Sequence, residues 1–314
     1  MERRQFLKYA GWGAAGLLFR HSIFPEDLNA ESIYKLNYKP EPAKWSSSDV
    51  TFAWIGHSTV LINFYGKLII TDPVLFERVG VYFLGTNMGP RRMTPPALEF
   101  EEMPKPDLIL LSHAHMDHMD YLTLKHYAEK WPGQIDVVVA YLTKDVIEDL
   151  EWKSIKVMDW NEESVVLDDI RIKALEVKHF GHRLPWEKDR SRGFMKDGRS
   201  YNAYILERNG KKILFGGDTA YTTLFEKQKD ENVDIAIMPI GAYDPWTRNH
   251  CNPEEALKMA AMVNAKYFIP IHTKTIKQGN EPFHEPINRM KKAAPGFNIS
   301  VGIDEIGQTF ILPK

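Results

Sequence analysis

Leu108-Ile109-Leu110-Leu111-Ser112-His113-Ala114-His115-Met116-Asp117-His118 is an apolar run that ends in four metal-competent side chains. Alternate residues of an extended segment point the same way, so His113 and His115 can close on one ion. A turn after them would carry Asp117 and His118 to the other side of that ion, where they can hold a second. Imidazole and carboxylate together suit zinc, and also iron or manganese, better than calcium. A solvated polar loop would account for one histidine, but this cluster points to a two-metal site.

The 314 residues, 44% of them hydrophobic, can bury a large core. No Gly/Ser-rich linker and no fixed-period repeat divides the chain, so residues 31–314 read as one domain. A formal charge of −2 gives no electrostatic case for nucleic-acid binding. The single cysteine, Cys251, rules out an intrachain disulfide framework and a Cys-rich structural zinc site. It reads as a small side chain at a helix start. Nothing in the sequence sets an oligomeric state.

Residues 1–30 carry the signal of compartment. Arg3-Arg4-Gln5-Phe6-Leu7-Lys8 precedes a weakly apolar stretch, Tyr9 to Phe19. That stretch is too short to span a bilayer, which takes roughly 20 apolar residues. A charged start followed by a Gly- and Ala-rich segment has the layout of a secretory signal. Its order resembles the twin-arginine export signal, which a receptor reads and which does not anchor the chain. The expectation is a signal over 1–30 ending near Leu28-Asn29-Ala30, with the precursor handed to the twin-arginine export machinery. The mature protein would then be periplasmic or otherwise extracytoplasmic. No later segment is apolar enough for a transmembrane span.

From Val50 onward, short strand-like runs alternate with turn residues. Val50–Ile55, Thr59–Phe64 and Lys67–Thr71, broken by Gly56 and Gly66, read as a meander. Asp107–Ser112 and Ile135–Ala140 are further strands, with helices expected over Tyr121–Lys130 and Thr143–Leu150. Strands follow at Ile155–Met158, Val165–Leu167, Ile170–Val177, Tyr201–Glu207, Lys211–Phe215, Val233–Met238 and Tyr267–Ile271. Asn252-Pro253-Glu254-Glu255 opens a helix, with Asn252 as N-cap and Pro253 at the first helical position. Hairpins with interleaved helices predict an α+β class: two mixed sheets packed together and covered outside by helices.

A binuclear site needs ligands from more than one loop. His179, Asp218 and His272 each follow an apolar run, at Leu175–Lys178, Ile213–Gly217 and Phe268–Ile271. Singly, each could be a capping carboxylate or a satisfied core imidazole. Their shared position at strand ends points to one common edge, where loops carry function. His182 competes with His179 for the ligand role, and His179 is favoured.

Several further motifs accompany these residues: Trp54-Ile55-Gly56-His57-Ser58-Thr59, Thr71-Asp72-Pro73, Gly89-Pro90-Arg91-Arg92, Gly217-Asp218-Thr219-Ala220-Tyr221 and Pro239-Ile240-Gly241-Ala242-Tyr243. With His-x-His-x-Asp-His, the set resembles the metallo-β-lactamase-fold hydrolase superfamily. Within it, the stretch from Val50 to His284 is most similar to the branch of N-acylphosphatidylethanolamine-hydrolysing phospholipase D, with the ascorbate-phosphate lactonases as neighbours. The resemblance implies a four-layer αββα sandwich with metals at the shared sheet edge. It implies that His113, His115 and His179 bind one ion, that Asp117, His118 and His272 bind another, and that Asp218 bridges them. It also implies that His250 is an active-site residue without a metal. Residues 180–200 do not align with the phospholipase and are expected to form part of the substrate wall.

Two divalent ions, zinc first and iron or manganese next, would share a hydroxide nucleophile at neutral pH. Asp117 would orient that hydroxide and His250 would give a proton or hydrogen bond to the developing oxyanion. His57, Asp72 and Tyr243 are supporting candidates. Asp72 could fix the tautomer of a ligating histidine or simply cap a turn. The expected reaction is hydrolysis of a phosphodiester in a small-molecule or lipid substrate, an N-acyl phospholipid among them. The alternative is a lactone or other carboxyl derivative, and a remote one is a non-catalytic metal-binding protein. Arg91, Arg92 or Arg183 lining the pocket would favour phosphate.

Overall fold

The structure, a computed structural model, describes residues 34–193 and 196–314. The expected signal over 1–30 lies outside the described residues. The first sheet contains β1 (Val50–Gly56), β2 (Thr59–Phe64) and β3 (Lys67–Thr71), and a separate two-stranded ribbon follows as β4 (Val81–Phe83) and β5 (Thr86–Met88). Next come β6 (Leu108–Leu110), helix α1 (Tyr121–Lys130), β7 (Asp136–Ala140) and β8 (Ser154–Met158). The second sheet begins with β9 (Glu163–Val166), β10 (Ile170–Glu176), β11 (Asn202–Arg208), β12 (Lys211–Phe215) and β13 (Ile235–Pro239). Helix α2 (Pro253–Met262), β14 (Tyr267–Ile271), helix α3 (Glu285–Ala293), β15 (Ser300–Val301) and β16 (Thr309–Ile311) complete the order.

Each large sheet has seven strands, ordered β16-β1-β2-β3-β6-β7-β8 and β15-β14-β13-β12-β11-β10-β9. Both are mixed. In the first, β16 through β3 pair antiparallel and β3 through β8 parallel; in the second, β9 through β12 pair antiparallel and β12 through β15 parallel. Strands β1 and β2 are buried along their whole length, as continuous apolar runs covered on both faces should be. This is the α+β sandwich that the strand pattern predicts.

Helix α1 starts at Asp120, whose carboxylate accepts from the Thr123 amide, and α2 starts at Asn252 in a reciprocal capping box with Glu255. The helix expected over Thr143–Leu150 is instead a single 3₁₀ turn at Lys144–Val146. Only Ile147 of that stretch's apolar residues is fully buried, and the Thr143 hydroxyl bonds back to the Ala140 carbonyl. One buried contact cannot hold two α-helical turns against a local side-chain bond. No helix among the described residues is long and apolar enough to cross a membrane.

The two sheets meet at the end of β6. The Asn202 amide donates to Ser112 O at 2.9 Å, His113 forms a bridge with Tyr201, and the Tyr204 hydroxyl donates to Leu111 O at 3.0 Å. At the same junction Gly217 has φ +56°, and a Cβ there would lie 2.6 Å from Ser112 Cβ. Only glycine lets the β12 terminus pass this close to the loop after β6.

Candidate metal centre

The turn after β6 is tight: the amides of His118 and Met119 both donate to the His115 carbonyl, at 3.1 and 2.8 Å. The partly buried Arg183 guanidinium braces it, Nη1 donating to Ala114 O and Met119 O at 2.8 Å each. This turn separates the histidine pair from Asp117 and His118, and two clusters result.

The first cluster contains His113, His115 and His179. His115 Nδ1 lies 2.8 Å from His113 Nε2 and 3.2 Å from His179 Nε2. The outer nitrogens of two rings have partners of their own: His113 Nδ1 bonds the Ser112 hydroxyl, and His179 Nδ1 donates to Asn249 O at 2.9 Å. Their inner nitrogens therefore carry lone pairs that face one point, which is repulsive unless a cation sits there. Ligands about 2.0–2.1 Å from a tetrahedral zinc would be about 3.3–3.4 Å apart, close to these separations.

The second cluster contains His57, Asp117, His118 and His272. Asp117 Oδ2 faces His57 Nε2 at 3.0 Å, His272 Nε2 at 3.3 Å and His118 Nε2 at 3.5 Å. Asp218 lies between the clusters. Its Oδ2 is 3.0 Å from both His118 Nε2 and His272 Nε2, and 3.9 Å from His179 Nε2. His250 Nε2 approaches the same oxygen at 3.5 Å, with its ring stacked on His272. Among the described residues, His118 Nε2 and Asp218 Oδ1 are buried without a hydrogen-bond partner. Such orphaned buried donors and acceptors are costly in a plain core and are what a cation would satisfy.

Asp72 supports both sides. Its Oδ2 accepts from His118 Nδ1 at 2.6 Å and from the Ser112 hydroxyl at 2.6 Å, while Oδ1 accepts from the Ser112 amide. Since Ser112 also bonds His113, one carboxylate orients a ring in each cluster. Three residues of this frame, His57, Asp72 and His272, have positive φ, so their chains turn sharply.

The electrostatics separate the two clusters. Burial pushes His113 and His179 well below the usual imidazole range and His115 to about 4. These rings are neutral, the form that binds metal. Burial also opposes charge on His118 and His272, but the Asp218 and Asp117 carboxylates outweigh it. They hold His118 well above its usual range and His272 up to about 9. In turn, burial raises Asp117 and Asp218, yet the facing histidines, His118 first, keep both well below the carboxylate range.

The remaining sequence candidates fall elsewhere. His182 bonds Asp189 through Nδ1, and its ring is 6.5 Å from that of His115. The Tyr243 hydroxyl donates to Glu285 on α3 at 2.9 Å, with Arg289 over its ring. Arg91 pairs with Glu77, Arg92 donates to Thr94 O and Val74 O, and Arg183 braces the metal loop, so all three arginines have structural partners. Cys251 is buried, and its thiol donates to Pro239 O. Sequence reading missed Gln278, whose amide lies 2.6 Å from Asp117 Oδ2, and the Ser112 link. Ser112 adjoins the motif and was available to it; Gln278 stands in a polar loop with no pattern.

The beta-lactamase superfamily domain family matches residues 68–273. The chain is 28% identical over 262 residues to N-acyl-phosphatidylethanolamine-hydrolyzing phospholipase D 1 of Caenorhabditis elegans, covering 79% of this chain and 70% of that one. Its fold is similar to Igni18, a metallo hydrolase of Ignicoccus hospitalis, with a TM-score of 0.61, 17% identity, and 84% and 99% of the two chains covered. It is also similar to YhfI of Bacillus subtilis, a metallo-beta-lactamase fold protein, with a TM-score of 0.58, 17% identity and the same coverage. A match over residues 68–273, with the sandwich and the metal-competent histidines and aspartates clustered at its edge, makes this chain a metal-dependent hydrolase belonging to the beta-lactamase superfamily.

Proposed function

We propose that the protein is a binuclear zinc hydrolase of phosphodiesters, with N-acyl phospholipids as the leading substrate class. The observation that carries the two-ion reading is Asp218 Oδ2, which faces His179 of one cluster and His118 and His272 of the other. The substrate class leans on the 28% identity to a phospholipase of that specificity.

His113, His115 and His179 would hold one ion, Asp117, His118 and His272 the second, and Asp218 would be shared. Divalent ions held there would acidify a water towards a pKa of about 7 and would polarise the oxygen of the scissile group. The chain's own residues do the rest. Asp117, partly exposed and kept anionic, orients the attacking water by accepting a hydrogen bond from it. His250, at the partly exposed rim, gives a proton from Nε2 to the leaving oxygen, worth on the order of 10²–10⁴ in rate. The neutral rings of the first cluster need no deprotonation before they ligate.

One observation favours a second reading. Arg91, Arg92 and Arg183 are all engaged in structural bonds, so the phosphate-binding role open to them in sequence is not supported. A lactone or other carboxyl derivative needs no such arginine. The test is turnover of N-acylphosphatidylethanolamine by zinc-loaded residues 31–314, beside a lactone, with products identified by mass spectrometry and Asp117→Ala as control. Phosphatidic acid and N-acylethanolamine, absent in the control, support the phosphodiester reading. Lactone opening alone would replace it, and no turnover with both ions bound would favour a non-catalytic metal-binding role. Export by the twin-arginine machinery remains part of this proposal and rests on residues 1–30.

A further inference from the structure

Asp117 is the most exposed carboxylate of the centre, yet its Oδ2 atom is crowded by nitrogen. Gln278 Nε2 lies 2.6 Å from it and His57 Nε2 3.0 Å, in addition to His118 and His272, the other two histidines of the second cluster. An ionised carboxylate only accepts, so the amide edge that faces it is the NH₂. His57 is a fixed donor: its amide bonds the Thr275 hydroxyl, and its carbonyl accepts from Trp54 Nε1 and the His272 amide. Gln278 has a different setting. It stands six residues past His272 in the loop between β14 and α3. That loop is tied to the loop after β13 by Trp246 Nε1 donating to Gln278 O at 3.0 Å and the Asn280 amide donating to Asp244 O at 2.7 Å. Glu281 adds bonds from the amides of Ala242 and Asp244. Trp246 itself is half exposed at the rim.

A carboxylate that both ligates and presents an oxygen to water must be held against rotation, and a neutral amide does so without adding charge. We propose that Gln278 is a positioning residue for Asp117. Its side-chain N–H fixes the Asp117 carboxylate in the orientation that holds the second ion, and the Trp246 bond ties that constraint to the rim. This rests on the reading of Asp117 as a ligand of that ion.

The test uses cobalt-loaded residues 31–314 carrying Gln278→Met, which keeps the length, or Gln278→Glu, which keeps the shape, beside Trp246→Phe and Asp117→Asn. Both Gln278 variants should weaken binding of the second cobalt on the order of 10–100-fold, leave the first unchanged and alter the visible cobalt spectrum. Trp246→Phe should shift the spectrum in the same direction by less. With bis(p-nitrophenyl) phosphate, kcat should fall and KM hold; the metal readouts decide even if this ester is not turned over. Wild-type affinity and spectrum in both Gln278 variants overturn the proposal, and so does a lowered melting temperature with an unchanged spectrum. If Asp117→Asn also keeps the second cobalt, the underlying ligand reading has failed; if it loses it, the failure belongs to Gln278 alone.

Discussion

His118 Nδ1 lies 2.6 Å from Asp72 Oδ2, and neither side chain is exposed to solvent. This contact aims His118 Nε2 at Asp218 and Asp117. Asp72→Asn keeps the shape but removes the charge that orients the ring. We expect the second ion to bind on the order of 10–100-fold more weakly, with a smaller loss at the first site through Ser112. Zinc titration calorimetry on the purified variant checks this.

Metal binding should be strongly pH-dependent at the second cluster. His272 holds its proton up to about 9, and His118 is held well above its usual range. A metal must displace these protons, so apparent affinity should rise as pH rises from 6 through about 9. Calorimetry in buffers of different ionisation enthalpy should detect proton release at pH 7. Equal heats across buffers would contradict it.

The metal-free fold should weaken in mild acid. Folded His57 and His115 titrate near 4, below the ordinary histidine value of 6.5. Between those values the unfolded chain binds protons that the folded chain refuses, so stability falls as pH drops from 6.5 to 4. His272 has the opposite sign: its contribution is fully present below 6.5 and is lost only as pH rises through about 9. Urea melts of chelator-treated protein at pH 7 and pH 5 should therefore show a lower midpoint at pH 5.

Arg183 separates two accounts of the pocket. Its guanidinium donates to Ala114 O and Met119 O inside the metal loop. Arg183→Ala leaves both carbonyls short of a donor, a loss of about 1–3 kcal/mol for each one left unsatisfied. Thermal melting should show that loss, with weaker metal binding at both clusters. A variant of normal stability whose KM alone rises would assign Arg183 to substrate instead.

The twin-arginine expectation has a direct test. Replacing Arg3 and Arg4 by lysine should leave the precursor in the cytoplasmic fraction while the wild-type chain is exported. Equal distribution of the two proteins would remove the signal from the account.

Much of the frame was readable because continuous apolar runs ended in ligand-type residues. That pattern located β6, β12 and β14 and, with them, His113, Asp218 and His272 at one edge. The β4–β5 ribbon escaped because Val81, Phe83 and Leu84 point into solvent, so burial periodicity never formed. Helix α3 was missed behind Pro286, with only Ile287 and Met290 as buried large apolar residues. Asp72 read equally as a turn cap, since a carboxylate before proline does either job; its partner lies forty-six residues away. Gln278 gave no signal, because its role comes from a loop crossing that local sequence does not encode.

In the proposed centre a pair of ions shares Asp218. Crystals of zinc-loaded protein, measured at the zinc edge, test it most directly. Two anomalous peaks roughly 3.5–4 Å apart are expected on either side of the Asp218 carboxylate. A single peak, or a second one away from Asp117, His118 and His272, would contradict it.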